Sequence, residues 1–297
     1  MKIDTHQHFW RYSAPEFPWI SEAMPALRRD CLPSDNAAAM RTAGVDGVVA
    51  VQARTLADET DFLLGLADQC PEVLGVVGWA DLGAADLEPR LRAWCAHPAF
   101  KGLRHILQDE ADASAWVAAP AHQRGLQTLQ RQQRVYDVLV FEHQLPAAVA
   151  LCARHDAHWL VLDHVGKPAL RDWVDAGAQA SPGWGHALRE LAAMPHVMCK
   201  LSGAVTETDW LNNHGLTLQD TRNILACFDQ ALEAFGPQRL MFGSDWPVCQ
   251  LSSSYDVVHG LAEQWARSRL NAAEQEAFWS GNALRCYDLS PPPPAIP

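Results

Sequence analysis

The chain has 297 residues, and hydrophobic side chains make up 48% of them against 20% charged. That is enough apolar material for a large core, which excludes a mainly disordered or fibrous protein. Lys and Arg number 23 against 35 Asp and Glu, a net charge of −12 that repels phosphate backbones and anionic lipid, so nucleic acid and membrane surfaces are excluded as partners.

In chain order, a first strand is expected over residues 1–8, followed by a long loop rich in proline and aromatic residues over 9–33. Ser34 opens an alanine-rich helix that Gly44 stops. A strand over 47–52 leads into a helix over 58–70, where Phe62, Leu63, Leu66 and Ala67 share one face and Pro71 ends the turn. Strand 73–80 and helix 87–96 follow, then strand 102–107, a polar loop over 108–120 and helix 123–134. The remaining units are strand 137–141 with helix 146–155, strand 159–163 with helix 185–194, strand 197–202 with helix 217–235, and strand 240–243 with helix 255–268. The strand interiors are nearly continuously apolar, as parallel strands covered on both faces must be. Eight β-then-α units predict an α/β protein, a single-domain (β/α)8 TIM barrel over 1–289, with an extended or disordered proline-rich tail over 290–297.

No glycine-rich phosphate loop follows any strand, so a nucleotide site is not expected. Eight scattered cysteines with no CxxC pair read as buried thiols in a reducing compartment. No apolar run reaches the roughly 18 residues of a membrane helix, and residues 1–6 contain no apolar leader, so the expected location is the cytoplasm.

Three strand ends carry ionisable residues. Asp4-Thr5-His6-Gln7-His8 closes the first strand, Asp163-His164 the sixth, and Gly243-Ser244-Asp245-Trp246 the eighth. In a TIM barrel the active face lies at these C-terminal ends. Residues two apart on a strand share a face, so His6 and His8 converge there, where two imidazoles can polarise a carbonyl or bind a metal ion. Each motif alone is as well explained by a hydrogen-bonded histidine or a helix cap, but three of them meeting at one barrel mouth read as a site.

The strings IDTHQHFW, KGLRH, LDHVGKP, KLSG, FGSDWPV and GNALRCYDL, running from residue 2 to 289, resemble the amidohydrolase superfamily and, more finely, its sugar-lactonase-like branch. The resemblance implies a hydrolase that opens a sugar-derived lactone, with L-fuconolactone as the first compound to try. It implies that Asp245 is the general base and that His6, His8 and His164 polarise the carbonyl. The same four residues are the implied metal ligands. Binuclear members carry a lysine or glutamate at the end of the fourth strand; here Lys101 starts that strand, at the wrong end of the barrel. The implied cofactor is therefore at most one divalent ion, zinc if present, and some lactonases of this branch need none.

Trp10, Gln52, Arg104, His105, Glu142 and Trp246 are the expected substrate-binding residues, with alternation allowing only one of Arg104 and His105 to face the cavity. Trp19, Lys200 and Ser202 have the same reach, and Asp4 is expected to lie one layer below His6. The expected partner is a small sugar lactone, with the chain a monomer or homodimer. Two rivals remain at this stage: a metal-dependent decarboxylase or aromatic-pathway lactonase of the same superfamily, and a non-catalytic sugar-binding barrel. The first would want several arginines at the mouth, where Arg104 is the clear candidate. The second would be expected to have lost one of the four residues.

Overall fold

The computed structural model describes residues 1–173 and 181–291. Eight strands, β1 (Ile3–Gln7), β2 (Gly47–Val51), β3 (Val73–Gly78), β4 (Phe100–His105), β5 (Val135–Val138), β6 (Leu160–Leu162), β7 (Val197–Leu201) and β8 (Leu240–Phe242), pair in parallel in chain order. A bridge between Gln7 and Trp246 returns the sheet to its start, with the His8 N–H donating to the Trp246 carbonyl at 2.7 Å and the Asp245 N–H to the His6 carbonyl at 2.9 Å. The chain is a single (β/α)8 barrel, as expected.

The helices are α1 (Pro33–Ala43), α2 (Glu59–Gln69), α3 (Leu87–Cys95), α4 (Ala113–Ala118), α5 (Pro120–Arg131), α6 (Leu145–Arg154), α7 (Pro182–Ala192), α8 (Trp210–Asn213), α9 (Leu218–Phe235), α10 (Tyr255–Arg269), α11 (Ala272–Glu276) and α12 (Asn282–Tyr287). Two expectations need correction here. Ser34 is not the cap of α1: Pro33 occupies the first turn, and Asp35 accepts the Leu32 N–H at 2.7 Å. The segment 108–120 is not wholly loop, because Asp112 caps α4 by accepting the Ala115 N–H, and Trp116 and Val117 are buried. Residues 292–297, most of the expected tail, lie outside the described residues. Among the described residues no helix is long and apolar enough to cross a membrane.

Alternation along the strands separates two layers. Leu103, Tyr136, Val138, Leu160, Leu162, Cys199, Leu201, Leu240 and Phe242 face outward into the sheet–helix core. Ile3, Val49, Val51, Val77, Val135, Val161, Met198 and Met241 face inward, packed with Ala283, Cys286 and Tyr287 of α12 and with Leu289 beyond it. Such buried apolar side chains contribute about 1.5–3 kcal/mol each. In β1, strict period two would put Ile3 and His6 on opposite faces. The β1–β2 register shifts between Asp4 and Gln7, and this irregularity resets the parity so that both point inward.

Candidate active site

At the C-terminal mouth of the barrel lies a cavity of about 340 Å³. His8, Arg104, His164 and Asp245 are among its lining residues, and His6 is wholly buried beside them. The structure thus brings together the four residues singled out from three strand ends. The His6 and His8 Nε2 atoms are 3.2 Å apart. Asp245 Oδ1 lies 3.2 Å from His8 Nε2 and 3.8 Å from His6 Nε2. The rings of His6 and His164 are 4.4 Å apart.

Local backbone geometry explains why these side chains converge. His164, Val165, Gly166 and Lys167 are four successive residues at positive φ: 55°, 53°, 72° and 49°. A left-handed conformation costs about 1–2 kcal/mol per non-glycine residue, and a β-branched residue such as Val165 resists it most. The surroundings hold the turn: the Trp184 indole N–H donates to the Val165 carbonyl at 2.7 Å, and the Lys167 N–H to the His164 carbonyl at 2.8 Å. Asp245 is also left-handed, at φ 60°. Strain of this kind concentrates where side-chain placement matters for function. Two glycines make room for the histidines: a Cβ at Gly203 would fall 2.5 Å from His164 Nδ1, and one at Gly243 would fall 2.7 Å from the His6 Cβ.

The electrostatics follow from burial. Burial pushes the Asp245 carboxyl up, but His164, His8 and Lys167 outweigh it and leave it below the ordinary carboxylate value, so it is ionised at neutral pH. Burial pushes the His6 and His164 imidazoles well below their ordinary value. The Ser202 hydroxyl lies 2.9 Å from His164 Nδ1. His8 Nδ1 sits 2.8 Å from the Val51 carbonyl, which can only accept, so Nδ1 carries a proton and the ring is fixed with Nε2 toward His6 and Asp245.

A buried ion network supports the floor. Lys200 Nζ lies 2.5 Å from Asp137, 3.1 Å from Asp163 and 3.2 Å from His6 Nδ1. Burial alone would push this ammonium down, but the two aspartates hold it up and charged. Burial also opposes ionisation of Asp163, yet Lys200, His6 and Arg104 hold it well below the usual range. Arg104 donates to Asp163 Oδ2 at 3.0 Å, to the Gln52 carbonyl at 2.6 Å and to Gln52 Oε1, with one guanidinium nitrogen 3.2 Å from His6 Nε2. Its N–H groups are therefore committed to the protein, and what it lends the cavity is charge.

Several expected contacts are misplaced. Trp10 is buried away from the cavity, donating to the Arg29 carbonyl and packing on Phe17 and Trp19; of these aromatics, Trp19 lines the cavity. Trp246 packs on Phe9 behind the site. His105 points outward, between Trp79 and Glu110 and stacked on Trp116, so Arg104 is the inward member of that pair. Glu142 does not end β5; it accepts the Ala169 N–H and the Ser181 hydroxyl, tying two loops together. Gln52 holds Arg104 rather than reaching the cavity. Asp4 lies below the site as expected, accepting the Ser244 and His6 N–H groups.

Four residues of the site were not singled out: Asp137, Asp163, Lys167 and Glu207. Asp163 was visible as the carboxylate preceding His164, and Asp137 as a lone carboxylate in an apolar run. Lys167 followed the same strand end as His164. Nothing in the sequence marks Glu207.

The donor set suits a metal ion. His6, His164 and Asp245 each offer a ligand atom within 4.8 Å of the others, and two imidazoles with one carboxylate match the preferences of zinc. A second grouping, His6, Asp137 and Asp163, does not suit an ion, because the Lys200 ammonium already stands among those three side chains. Lys101 is remote, donating to the Asp288 carbonyl.

Over nearly its whole length the chain is similar to known proteins. The amidohydrolase family model matches residues 3–289. An L-fucono-1,5-lactonase of Burkholderia multivorans is 55% identical over 292 residues, covering 98% of this chain and 97% of that protein. An L-fucono-1,5-lactonase of Burkholderia ambifaria is 32% identical over 98% of this chain and 97% of its own length. A crystal structure of an amidohydrolase from Burkholderia multivorans with bound zinc superposes with a TM-score of 0.93 at 54% identity, covering 98% of this chain and 100% of that one. The chain belongs to the amidohydrolase family.

Proposed function

We propose that this member of the amidohydrolase family is a lactonase that opens a sugar-derived lactone to the aldonic acid, with L-fucono-1,5-lactone as its substrate. The observation that carries this is the meeting of an ionised, buried Asp245 with three imidazoles at the floor of the cavity in the barrel mouth, in a chain 55% identical to a lactonase of that name. Opening a lactone requires a nucleophilic water, stabilisation of the carbonyl oxygen as it becomes an oxyanion, and a proton for the departing ring oxygen. Asp245 takes the proton from water as the C–O bond forms. It then returns that proton to the ring oxygen as the acyl–oxygen bond breaks, so no external acid is consumed. His8 and His164 line the cavity where the lactone carbonyl would lie, and the charge of Arg104 beneath them favours the developing oxyanion. Asp163 and Lys200 orient His6, whose Nε2 faces the same point.

His6, His164 and Asp245, with His8 beside them, would hold one divalent ion, zinc by ligand type; bound there, it would supply Lewis-acid polarisation of the carbonyl. The cysteines are all free, and most are buried, which supports a reducing, cytoplasmic setting.

The test is a screen of purified protein against aldonolactones with a pH indicator, alongside elemental analysis. Acid release should be fastest on L-fucono-1,5-lactone, with no more than about one metal equivalent per chain. Preference for a dicarboxylate lactone or an N-acyl amide would remove the sugar-lactone reading, and two tight ions per chain would remove the single-ion reading.

A further inference from the structure

The cavity has two unlike sides. The loops after β8 and β1, neighbours at the seam of the barrel, supply Val248, Leu251, Trp19 and Met24. The loops after β4 to β7 supply the charged pair Lys167 and Glu207 with Gln108, set among Leu139, Phe141 and Trp210. Lys167 Nζ donates to Gln108 Oε1 at 2.9 Å and lies 3.5 Å from Glu207 Oε1. It also stands 4.8 Å over the Phe141 ring, which fixes its head against the wall. Glu207 is almost buried, at 8% side-chain exposure, and this ammonium is its ion-pair partner. Neither residue touches His6; Lys167 serves the mechanism above only as a charge that favours ionised Asp245, and Glu207 has no task in it.

The pair is expensive to keep. A carboxylate and an ammonium drawn out of water need partners for their remaining lone pair and N–H groups. Lys167 has three N–H donors, one of them given to Gln108; Glu207 has four acceptor positions, with Lys167 as its ion-pair partner and Arg171 adding charge from farther away. The residual capacity, a donor beside an acceptor a few ångströms apart, points into the cavity. Two adjacent hydroxyls on a ring present the complement: one oxygen to accept from the ammonium, and one O–H to donate to the carboxylate. The strained left-handed turn 164–167 adds a second reason to look here. It carries His164 at its start and Lys167 at its end, so the backbone that places a histidine at the floor also places this ammonium over the cavity.

Resting on the lactonase reading, we propose that Lys167 and Glu207 form a clamp that reads a vicinal diol of the lactone ring, and so decide which stereoisomer is opened. The apolar side from Trp19, Met24, Val248 and Leu251 receives the part of the ring that carries no hydroxyl. The clamp touches the substrate but takes no part in proton transfer at the reacting carbon.

The test compares Glu207→Gln and Lys167→Met with the unaltered protein on two kinds of substrate: pairs of aldonolactones epimeric at a ring hydroxyl, and δ-valerolactone, which has no hydroxyl to read. Thermal melting of each variant checks the fold. The clamp predicts that KM for the preferred aldonolactone rises about tenfold or more and that the rate ratio between epimers collapses, because a hydroxyl losing its charged partner forfeits most of its discrimination. On δ-valerolactone KM should be unchanged in both variants, and any fall in kcat that Lys167→Met causes by removing a charge near Asp245 should be the same on both substrate kinds. An unchanged epimer ratio in folded variants overturns the clamp, as does an equal rise in KM on both substrate kinds. If the unaltered protein opens no aldonolactone at all, the lactonase reading has failed instead. Should one variant fail to melt cooperatively, the other carries the same comparison.

Discussion

Met198 and Lys200 lie two residues apart on the inward face of β7, yet they belong to different interiors. Met198 packs with Val161, Met241 and Tyr287 in the apolar lower layer. Lys200, one layer higher, is locked between Asp137 and Asp163. The lower layer can be explained by stability alone, since apolar contact there is favourable without conditions. The upper layer cannot. A buried ion network is at best neutral against a well-packed apolar replacement, and removing one member leaves uncompensated charge at about 3–5 kcal/mol. The barrel keeps such a network where it meets the cavity, and Tyr287, donating to Asp137 at 2.9 Å, is where the two layers touch. The division teaches that one strand can carry a structural and a functional residue on the same face, separated only by height in the barrel.

The sharpest way to break the comparison is at the top. Asp245→Asn keeps the shape of the side chain and removes the base, so kcat should fall by a factor of about a hundred or more while the melting temperature holds. Near-normal turnover in a folded Asp245→Asn protein would show that the upper layer is structural after all. The complementary change is Met198→Ala in the lower layer. It should lower stability by about 2–5 kcal/mol through lost contact and a residual cavity, measured by denaturant unfolding, with turnover per folded molecule unchanged. A Met198→Ala protein that keeps its stability but loses kcat would erase the boundary between the layers.

The same division governs what could be read from the residues alone. The barrel was legible because parallel strands covered on both faces leave long apolar runs, which hold their meaning without any knowledge of contacts. His6, His8, His164 and Asp245 were legible because each ends such a run. Strand limits were less so: the run at 137–141 continues the apolar pattern past the paired residues, and pairing of Gly102 with Val135 starts β5 two residues earlier. That shift moved Glu142 out of the site and hid Asp137 inside it. Trp10 and Trp246 adjoin the motifs in sequence but point sideways into the packing, which no spacing rule reports. Lys167 reaches the cavity only because the chain turns left-handed at Val165, a conformation its β-branched side chain argues against. Glu207 depends on a loop fold with no local signature.

The smallest expected effect lies at the base of the barrel, far from the cavity. His259 is packed against Phe242 and Trp279, with Lys2 Nζ 3.0 Å from its Nε2. Burial, then the Lys2 ammonium, pushes this imidazole down to about 4. In the unfolded chain it returns to roughly 6.5. Between those values the unfolded state binds a proton that the folded state refuses, so this group makes stability fall as pH drops from about 6.5 to about 4. Above the unfolded value both states are neutral there, and the penalty vanishes. His259→Gln removes the titration without adding charge, so its melting temperature should decline less across that window than the unaltered protein's, whatever its offset at neutral pH. Parallel declines in the two proteins would mean that His259 accepts its proton in the fold. The pH sensitivity would then belong to the buried imidazoles of the site, His6 and His164, which are pushed down in the same way.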